Sequence, residues 1–165
     1  MAKRDDRSDD EADAGGAGFA LWQVSNLWQR TMRRVLHEFA LTHVQFGLLA
    51  GLAAMQGEHD GVVTQADLAT FCHVDPMMTS QVLRTLEAAG WIERQPHPTD
   101  TRAKCPVLTP AGRTLLARAT PAVARSDRDF FAMAGKKSER LVRNLRKLRR
   151  RAEAAMKKHD QEEST

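Results

Sequence analysis

Cysteine is nearly absent: the 165 residues contain two, Cys72 and Cys105, far apart and outside any CxxC pair. That excludes a disulfide framework and fits free thiols in a reducing cytosol, so a cytoplasmic location is expected. Long apolar runs are missing too. None approaches the ~20 residues that a membrane helix needs. The opening stretch, MAKRDDRSDDEADAGGAGF, has no apolar segment behind its basic residues. Neither a secretory leader nor a membrane partner is expected. Catalytic signatures are equally scarce. No Gly-rich phosphate loop, nucleophile elbow or paired-carboxylate cluster stands out, which argues against an enzyme. His37, Glu38 and His43 are acceptable metal ligands by type, but nothing has the tight spacing of an HExxH motif. The sequence calls for no cofactor and no metal.

What is present is charge and helical periodicity. Apolar residues make up 42% and charged ones 28%, enough for a packed globular core. Residues 1–13 hold three bases and six acids, a balance of −3 in a chain of net charge +4, so the remainder carries +7. A basic body is the electrostatic footprint of a nucleic-acid binder, although basic faces are often simply solvated. Residues 1–18, acidic and Gly-rich, read as a disordered tail.

From Phe19 a helix is expected to about residue 40, with Leu21, Val24, Trp28, Met32, Val35 and Phe39 on one stripe. Thr42 can cap a second helix containing Phe46, Leu48, Leu49 and Leu52, which Gly57 ends. Thr64 can cap a short third helix, with Asp67 three residues on as a weaker capping box. In it Leu68 and Phe71 face inward, and Ala69 is small enough for a close helix crossing. After the tight His73-Val74 connection, Asp75 caps a fourth helix, Pro76 occupies its first turn and Gly90 stops it. Two short helices so joined are the pattern of a helix-turn-helix. The stretches 91–95 and 104–108 flank a polar loop, 96–103, and read as a β-hairpin or wing, with Pro106 marking an edge strand.

Thr109 and Pro110 repeat the cap-plus-proline start. The helix that follows carries Leu115, Leu116, Ala119, Val123, Phe130 and Phe131, with a bend expected at Pro121. A last helix from about Ser138 sets Leu141, Leu145, Leu148, Ala152 and Met156 in a coiled-coil-like seam. Its back is basic: Lys136 to Arg151 holds nine bases against Glu139. That is either a phosphate-facing arm or the solvated side of a dimer helix. The outermost helices have no evident partner within so small a domain, and pairing them across a two-fold axis predicts a homodimer.

In the fourth helix Val82, Leu83 and Leu86 face the body, with Thr79 a turn earlier. The opposite stripe is Met77, Ser80, Gln81, Arg84 and Ala88, polar for the most part and free of acids. It fits a recognition helix in the major groove of double-stranded DNA. Gln81 can pair with adenine, Arg84 with guanine or phosphate, and Met77 can touch a thymine methyl. Thr64, the cap of the preceding helix, joins this DNA-binding set. In the loop, Asp100 stands two residues before Arg102 and can aim its guanidinium, which suits a narrow minor groove.

Thr64–Arg94, then His97-Pro98-Thr99-Asp100-Thr101-Arg102-Ala103-Lys104 and Leu108-Thr109-Pro110-Ala111-Gly112, resemble the MarR family of bacterial regulators. The most specific part is the Asp-x-Arg-Ala wing followed by Leu-Thr-x-x-Gly. The resemblance covers residues 19–158, with a winged helix over about 42–109, dimerisation helices over about 19–40 and 110–158, and a flexible tail at 159–165. It implies a mainly α fold with a small β wing: a winged helix-turn-helix with N- and C-terminal dimerisation helices. It also implies homodimers on pseudo-palindromic DNA that often repress nearby genes. Asp100 and Arg102 then serve the wing contact, and Ser80, Gln81 and Arg84 lie on the recognition helix. The chain departs from the family at Met77-Met78, where small polar residues are common. Many members release DNA on binding a small aromatic or phenolic ligand, for which Trp22, Trp28, His43 and Phe46 are the candidate wall; the same rings at helical spacing equally suit a core. Some relatives sense oxidants. Here Cys72 is expected buried and inert, and Cys105 more exposed. The alternative to a DNA-binding repressor is a winged-helix protein-interaction module without sequence-specific DNA binding.

Overall fold

The computed structural model describes residues 16–58, 62–100 and 104–163. The elements run α1 (Gly16–His37), α2 (His43–Glu58), α3 (Gln65–Cys72), α4 (Pro76–Ala88), β1 (Ile92–Pro96), β2 (Lys104–Leu108), α5 (Pro110–Ala132) and α6 (Ser138–Glu163), with a 3-10 turn at Gly135–Lys137 before α6. The fold is mainly α with one two-stranded antiparallel sheet. Among the described residues no helix is long and apolar enough to cross a membrane.

The chain divides into two compact units after Ala124. The first is organised around α2. Leu48, Leu49 and Leu52 of α2 are buried with Met32 and Leu36 of α1, Leu68 of α3, Leu83 and Leu86 of α4 and Ile92 of β1. Each such side chain contributes about 1.5–3 kcal/mol by leaving water. The α2–α3 crossing is close at Gly51, where a Cβ would strike Cys72 Sγ. Small size is needed here on α2, as well as at Ala69 of α3.

The ends of the elements follow local chemistry. Thr42 and Gln45 cap α2 reciprocally: Gln45 N donates to Thr42 Oγ1 (3.2 Å), and Thr42 N donates to Gln45 Oε1 (2.8 Å). Asp75 accepts from the amides of Met77 and Met78 at 2.9 and 3.0 Å, and Pro76 opens α4 without a wasted donor. Leu-Thr-x-x-Gly proves to be a packing device. Thr109 Oγ1 accepts from Gly112 N at 3.0 Å and lies 2.8 Å from the Gly90 carbonyl. Gly112 has no Cβ because the Trp91 carbonyl occupies that space.

Several boundaries and faces depart from expectation. The first helix already includes Gly16–Gly18, and it ends at His37, where Leu41 N closes onto the Leu36 carbonyl at 3.1 Å. Gly57 lies inside α2 rather than after it. The first wing strand starts at Ile92 and runs to Pro96. The last helix continues to Glu163, so residues 159–163 are helical rather than a tail. Phe71 is 48% exposed, not inward. The core face of α3 runs through Leu68, Ala69 and Cys72, and Phe71 lies about 100° round the helix from its centre. Residues 1–15 and 164–165 of the expected tails, the turn at 59–61 and the wing tip at 101–103 lie outside the described residues.

The second unit comprises the end of α5, the 3-10 turn and α6. Phe130 and Phe131 meet edge to face at 5.5 Å. A cleft of ≈ 710 Å³ lies between the end of α5 and the start of α6, with Arg128, Phe131, Glu139, Val142 and Arg143 among its walls.

Candidate nucleic-acid interface

Helix α4 is held from both sides along its length. In its last turn, Gln45 Nε2 from α2 donates to Thr85 Oγ1 at 3.1 Å. From the wing, Arg94 donates to the Ser80 carbonyl at 3.2 Å and pairs with Glu87 at 3.2 Å. Glu87 is the one acid of α4, and the ion pair sets a positive charge against it at the helix end away from Met77. Thr79, Leu83 and Leu86 are buried beneath. What faces outward is Met77, 82% exposed, together with Gln81, Arg84 and Ala88; Ser80 is half-buried and Met78 is 49% exposed. The stripe read from the sequence is therefore one continuous surface apart from Ser80.

Thr64 sits at the N-cap of α3. Its amide and hydroxyl donate to Asp67 Oδ2 at 3.0 and 2.6 Å, and its Oγ1 accepts from Asp67 N at 3.1 Å. The hydroxyl is thus committed to the capping box. These bonds hold the Asp67 carboxyl below its usual range, against a small opposing effect of burial; the nearby His97 lowers it further.

In the wing, Ile92 pairs with Leu108 and Arg94 with Pro106; no third strand pairs with β2 among the described residues, so the N–H that Pro106 lacks is not called for there. Asp100 is exposed at the described edge of the tip. Arg102, and with it the expected Asp100–Arg102 pair, lies outside the described residues. His97, to which the sequence reading gives no role, gathers this tip. Its Nδ1 lies 3.3 Å from Thr99 N, 3.1 Å from Asp100 N and 3.3 Å from Thr99 Oγ1. Arg94 and Gln45 likewise carry no expectation from sequence, because their partners lie far along the chain.

The four residues proposed for a ligand wall occupy different surroundings. Trp28 and Phe46 pack against the core, and His43 is half-buried. The His43 imidazole is lowered by burial first and by the Arg33 charge second. Trp22 is 61% exposed, stacks on Phe19 at 5.6 Å and borders an open cleft of ≈ 700 Å³ with Asn26, Leu27, Arg30 and Arg33.

The cysteines reverse the expectation. Cys105 is buried, 2% exposed, while Cys72 is half-buried with its thiol 3.8 Å from the Gly47 carbonyl. Burial raises both thiols, and the Asp67 charge adds to the effect at Cys105, which disfavours the reactive thiolate. Cys105 is buried although alternation puts it on the face of β2 opposite Leu108: Cys105, Pro106 and Leu108 are all buried, so the strand is covered on both faces. Among the described residues no group of three or more His, Cys, Asp or Glu side chains stands close enough to hold a metal ion.

Comparison with known proteins agrees with this geometry. Residues 41–104 match the model of the MarR family. The HTH-type transcriptional regulator YdcH of Bacillus subtilis is 44% identical over 131 residues, 79% of this chain and 88% of the relative. An HTH-type transcriptional repressor of Mycobacterium tuberculosis is 30% identical over 121 residues, 73% of this chain and 84% of the relative. In the crystal structure of the S. aureus MepR–DNA complex, the protein superposes with a TM-score of 0.70 at 25% identity, over 80% of this chain and 95% of that one. These relatives are regulators and not enzymes. With α3, α4 and the wing arranged as a winged helix-turn-helix and the likeness extending over most of the chain, this protein belongs to the MarR family of transcriptional regulators.

Proposed function

We propose that this regulator is a sequence-specific DNA-binding repressor that acts as a homodimer on a pseudo-palindromic operator and is released by a small aromatic or phenolic ligand. The observation that carries the DNA reading is the outward stripe Met77, Gln81 and Arg84. It is free of acids and stands on a helix anchored to α2 and to the wing. Gln81 and Arg84 read base edges or phosphate, Met77 makes the apolar contact, and Ser80 lies beside them. Asp100 and Arg102 supply the wing contact. Thr64 positions α3 through its cap and borders the backbone. The MepR–DNA complex supports this assignment, and the M. tuberculosis relative, named a repressor, supports the sign of regulation.

The homodimer reading is supported by apolar side chains that one chain leaves open. On α1 these are Phe19, Leu21, Trp22, Val24 and Leu27; on α6 they are Leu141, Leu148 and Met156. Two recognition helices on successive major grooves must stand ~34–36 Å apart. A ligand releases the operator only if it binds another spacing more tightly. The surface around Trp22 suits an aromatic anion, with an exposed ring beside Arg30 and Arg33, and Trp28, His43 and Phe46 belong to the same unit.

Rounds of selection from a pool of short duplexes, followed by anisotropy at near-physiological salt, test the reading. Enrichment of an inverted repeat is expected, with Arg84→Ala and Arg102→Ala each losing about tenfold or more in affinity. Weak, salt-sensitive, sequence-blind binding overturns it, since charge alone accounts for that.

A further inference from the structure

One side-chain atom closes the described part of the wing tip. Thr99 N and Asp100 N both approach His97 Nδ1, at 3.3 and 3.1 Å. An amide N–H can only donate, so Nδ1 serves as the acceptor in this turn, a role that requires it to carry no proton. Thr99 Oγ1, 3.3 Å from the same nitrogen, adds a third group to that lone pair. Asn and Asp close turns in this way when their side-chain oxygen accepts amides two and three residues on. His97 does the same with a ring nitrogen that can also take a proton. The turn lies between β1, which ends at Pro96, and the segment that carries Arg102.

We propose that His97 is the positioning residue of the wing: through Nδ1 it holds the Thr99–Asp100 turn that presents Asp100, and protonation at Nδ1 releases that turn, so that acidification weakens DNA binding. This rests on the DNA-binding reading above.

The charged groups around His97 make the prediction a sharp one. Asp67, at the start of α3, is close enough for His97 to lower its carboxyl. Asp100 belongs to the turn itself, and Lys104 follows across the wing, paired with Pro96. A nearby DNA phosphate adds to the acids, so charge attraction alone makes binding tighter at acid pH. The turn geometry demands the opposite, because a doubly protonated ring keeps no lone pair at Nδ1. The two accounts differ in sign.

The test compares the full-length wild type with His97→Asn and His97→Ala on the selected duplex, from pH ~7.5 to ~5.5, a span that brackets the ordinary histidine value. Asn keeps an acceptor for both amides and does not titrate. At the upper pH, His97→Asn should bind within about twofold of wild type and His97→Ala about fivefold more weakly, the scale of a lost hydrogen bond. On acidification the wild type should fall toward His97→Ala, while the ratio between the two variants stays flat. Taking each variant relative to wild type removes the titration of the other histidines. Wild type that tightens relative to His97→Asn, or a His97→Ala protein that binds as well as wild type, overturns the proposal.

A second readout needs no DNA. Nitrogen and amide NMR of the free protein should show an Nε2-protonated His97 ring, with the Thr99 and Asp100 amides shifting along its titration curve. An Nδ1-protonated neutral ring, or amides that ignore the titration, also overturns the proposal. If the amides follow the ring but no duplex is selected, the DNA reading fails and the wing closure stands.

Discussion

Helices α2 and α6 are both long, and one chain treats them in opposite ways. In α2, Leu48, Leu49, Gly51 and Leu52 are buried, and α1, α3, α4 and β2 all pack against it. In α6 no described residue is buried, and Leu141, Leu148 and Met156 are 38, 59 and 68% exposed. Yet α6 has the cleaner amphipathic pattern, with leucines on one side and arginines on the other. An all-round apolar helix marks a core that the chain completes by itself; a narrow seam with a charged back marks a surface that needs another surface. The reading lobe is finished within the monomer, and the outer helices are the half-built part that the homodimer proposal completes.

The largest expected effect tests the finished half. Leu83→Ala removes a fully buried side chain from α4 and should cost about 2–5 kcal/mol of stability in chemical denaturation, at every protein concentration. The contrasting change is Leu148→Glu on α6. It should leave the slow hydrogen exchange of the α2 and α4 amides in place, yet lower self-association in sedimentation by about tenfold or more, because a charge placed in an apolar seam must be desolvated. The comparison breaks if Leu148→Glu exposes the α2 amides, or if association is indifferent to it.

Local chemistry is what the sequence displays most openly. Thr42, Thr64, Asp75 and Thr109 cap the helices expected of them, and Pro76 and Pro110 open theirs, because a cap needs only residues two or three positions away. The outward stripe of α4 was legible for the same reason, since helical period alone sets it. What sequence reading missed depends on pairs distant in the chain. Arg94 reaches Ser80 across 14 residues and Gln45 reaches Thr85 across 40, and neither spacing leaves a pattern. Gly51 looks like a weak point in a helix until Cys72 is packed against it. Cys105 escapes the pattern because alternation turns it away from Leu108 and the core, and only the covering of both faces of β2 buries it. His97 was within reach: an acceptor side chain two residues ahead of Thr99 occupies the place where Asn or Asp would have signalled a turn.

A smaller effect separates the wing side of the lobe from its core. Thr64→Ala removes the cap of α3 and should cost about 1 kcal/mol. The loss depends on pH. Asp67 is the group whose carboxyl is lowered on folding, so its share of the box is fully present above pH ~4, where the unfolded side chain is also ionised. That share fades as the pH falls through the lowered value. Denaturation of wild type and Thr64→Ala should therefore converge in acid, whereas the Leu83→Ala deficit should persist there. A capping penalty unchanged at pH ~3 would show that the carboxylate takes no part in it.

The smallest effect runs in the favourable direction. Thr79 lies under the recognition stripe, 0% exposed, and its Oγ1 has no hydrogen-bond partner among the described residues. A threonine at this place in the helix puts a hydroxyl where a methyl would fill the same space. Desolvating a hydroxyl without a protein partner costs free energy that Thr79→Val, nearly equal in volume, does not incur. Thr79→Val should therefore raise stability by about 0.5–1 kcal/mol in thermal or chemical denaturation. Operator affinity should stay unchanged, because Met77, Gln81 and Arg84 point the other way. A loss of affinity with a gain in stability would mean that the buried hydroxyl sets the pitch of α4 against the lobe, and so that the inner face of the reading helix, as well as its outer one, helps to decide which DNA it fits.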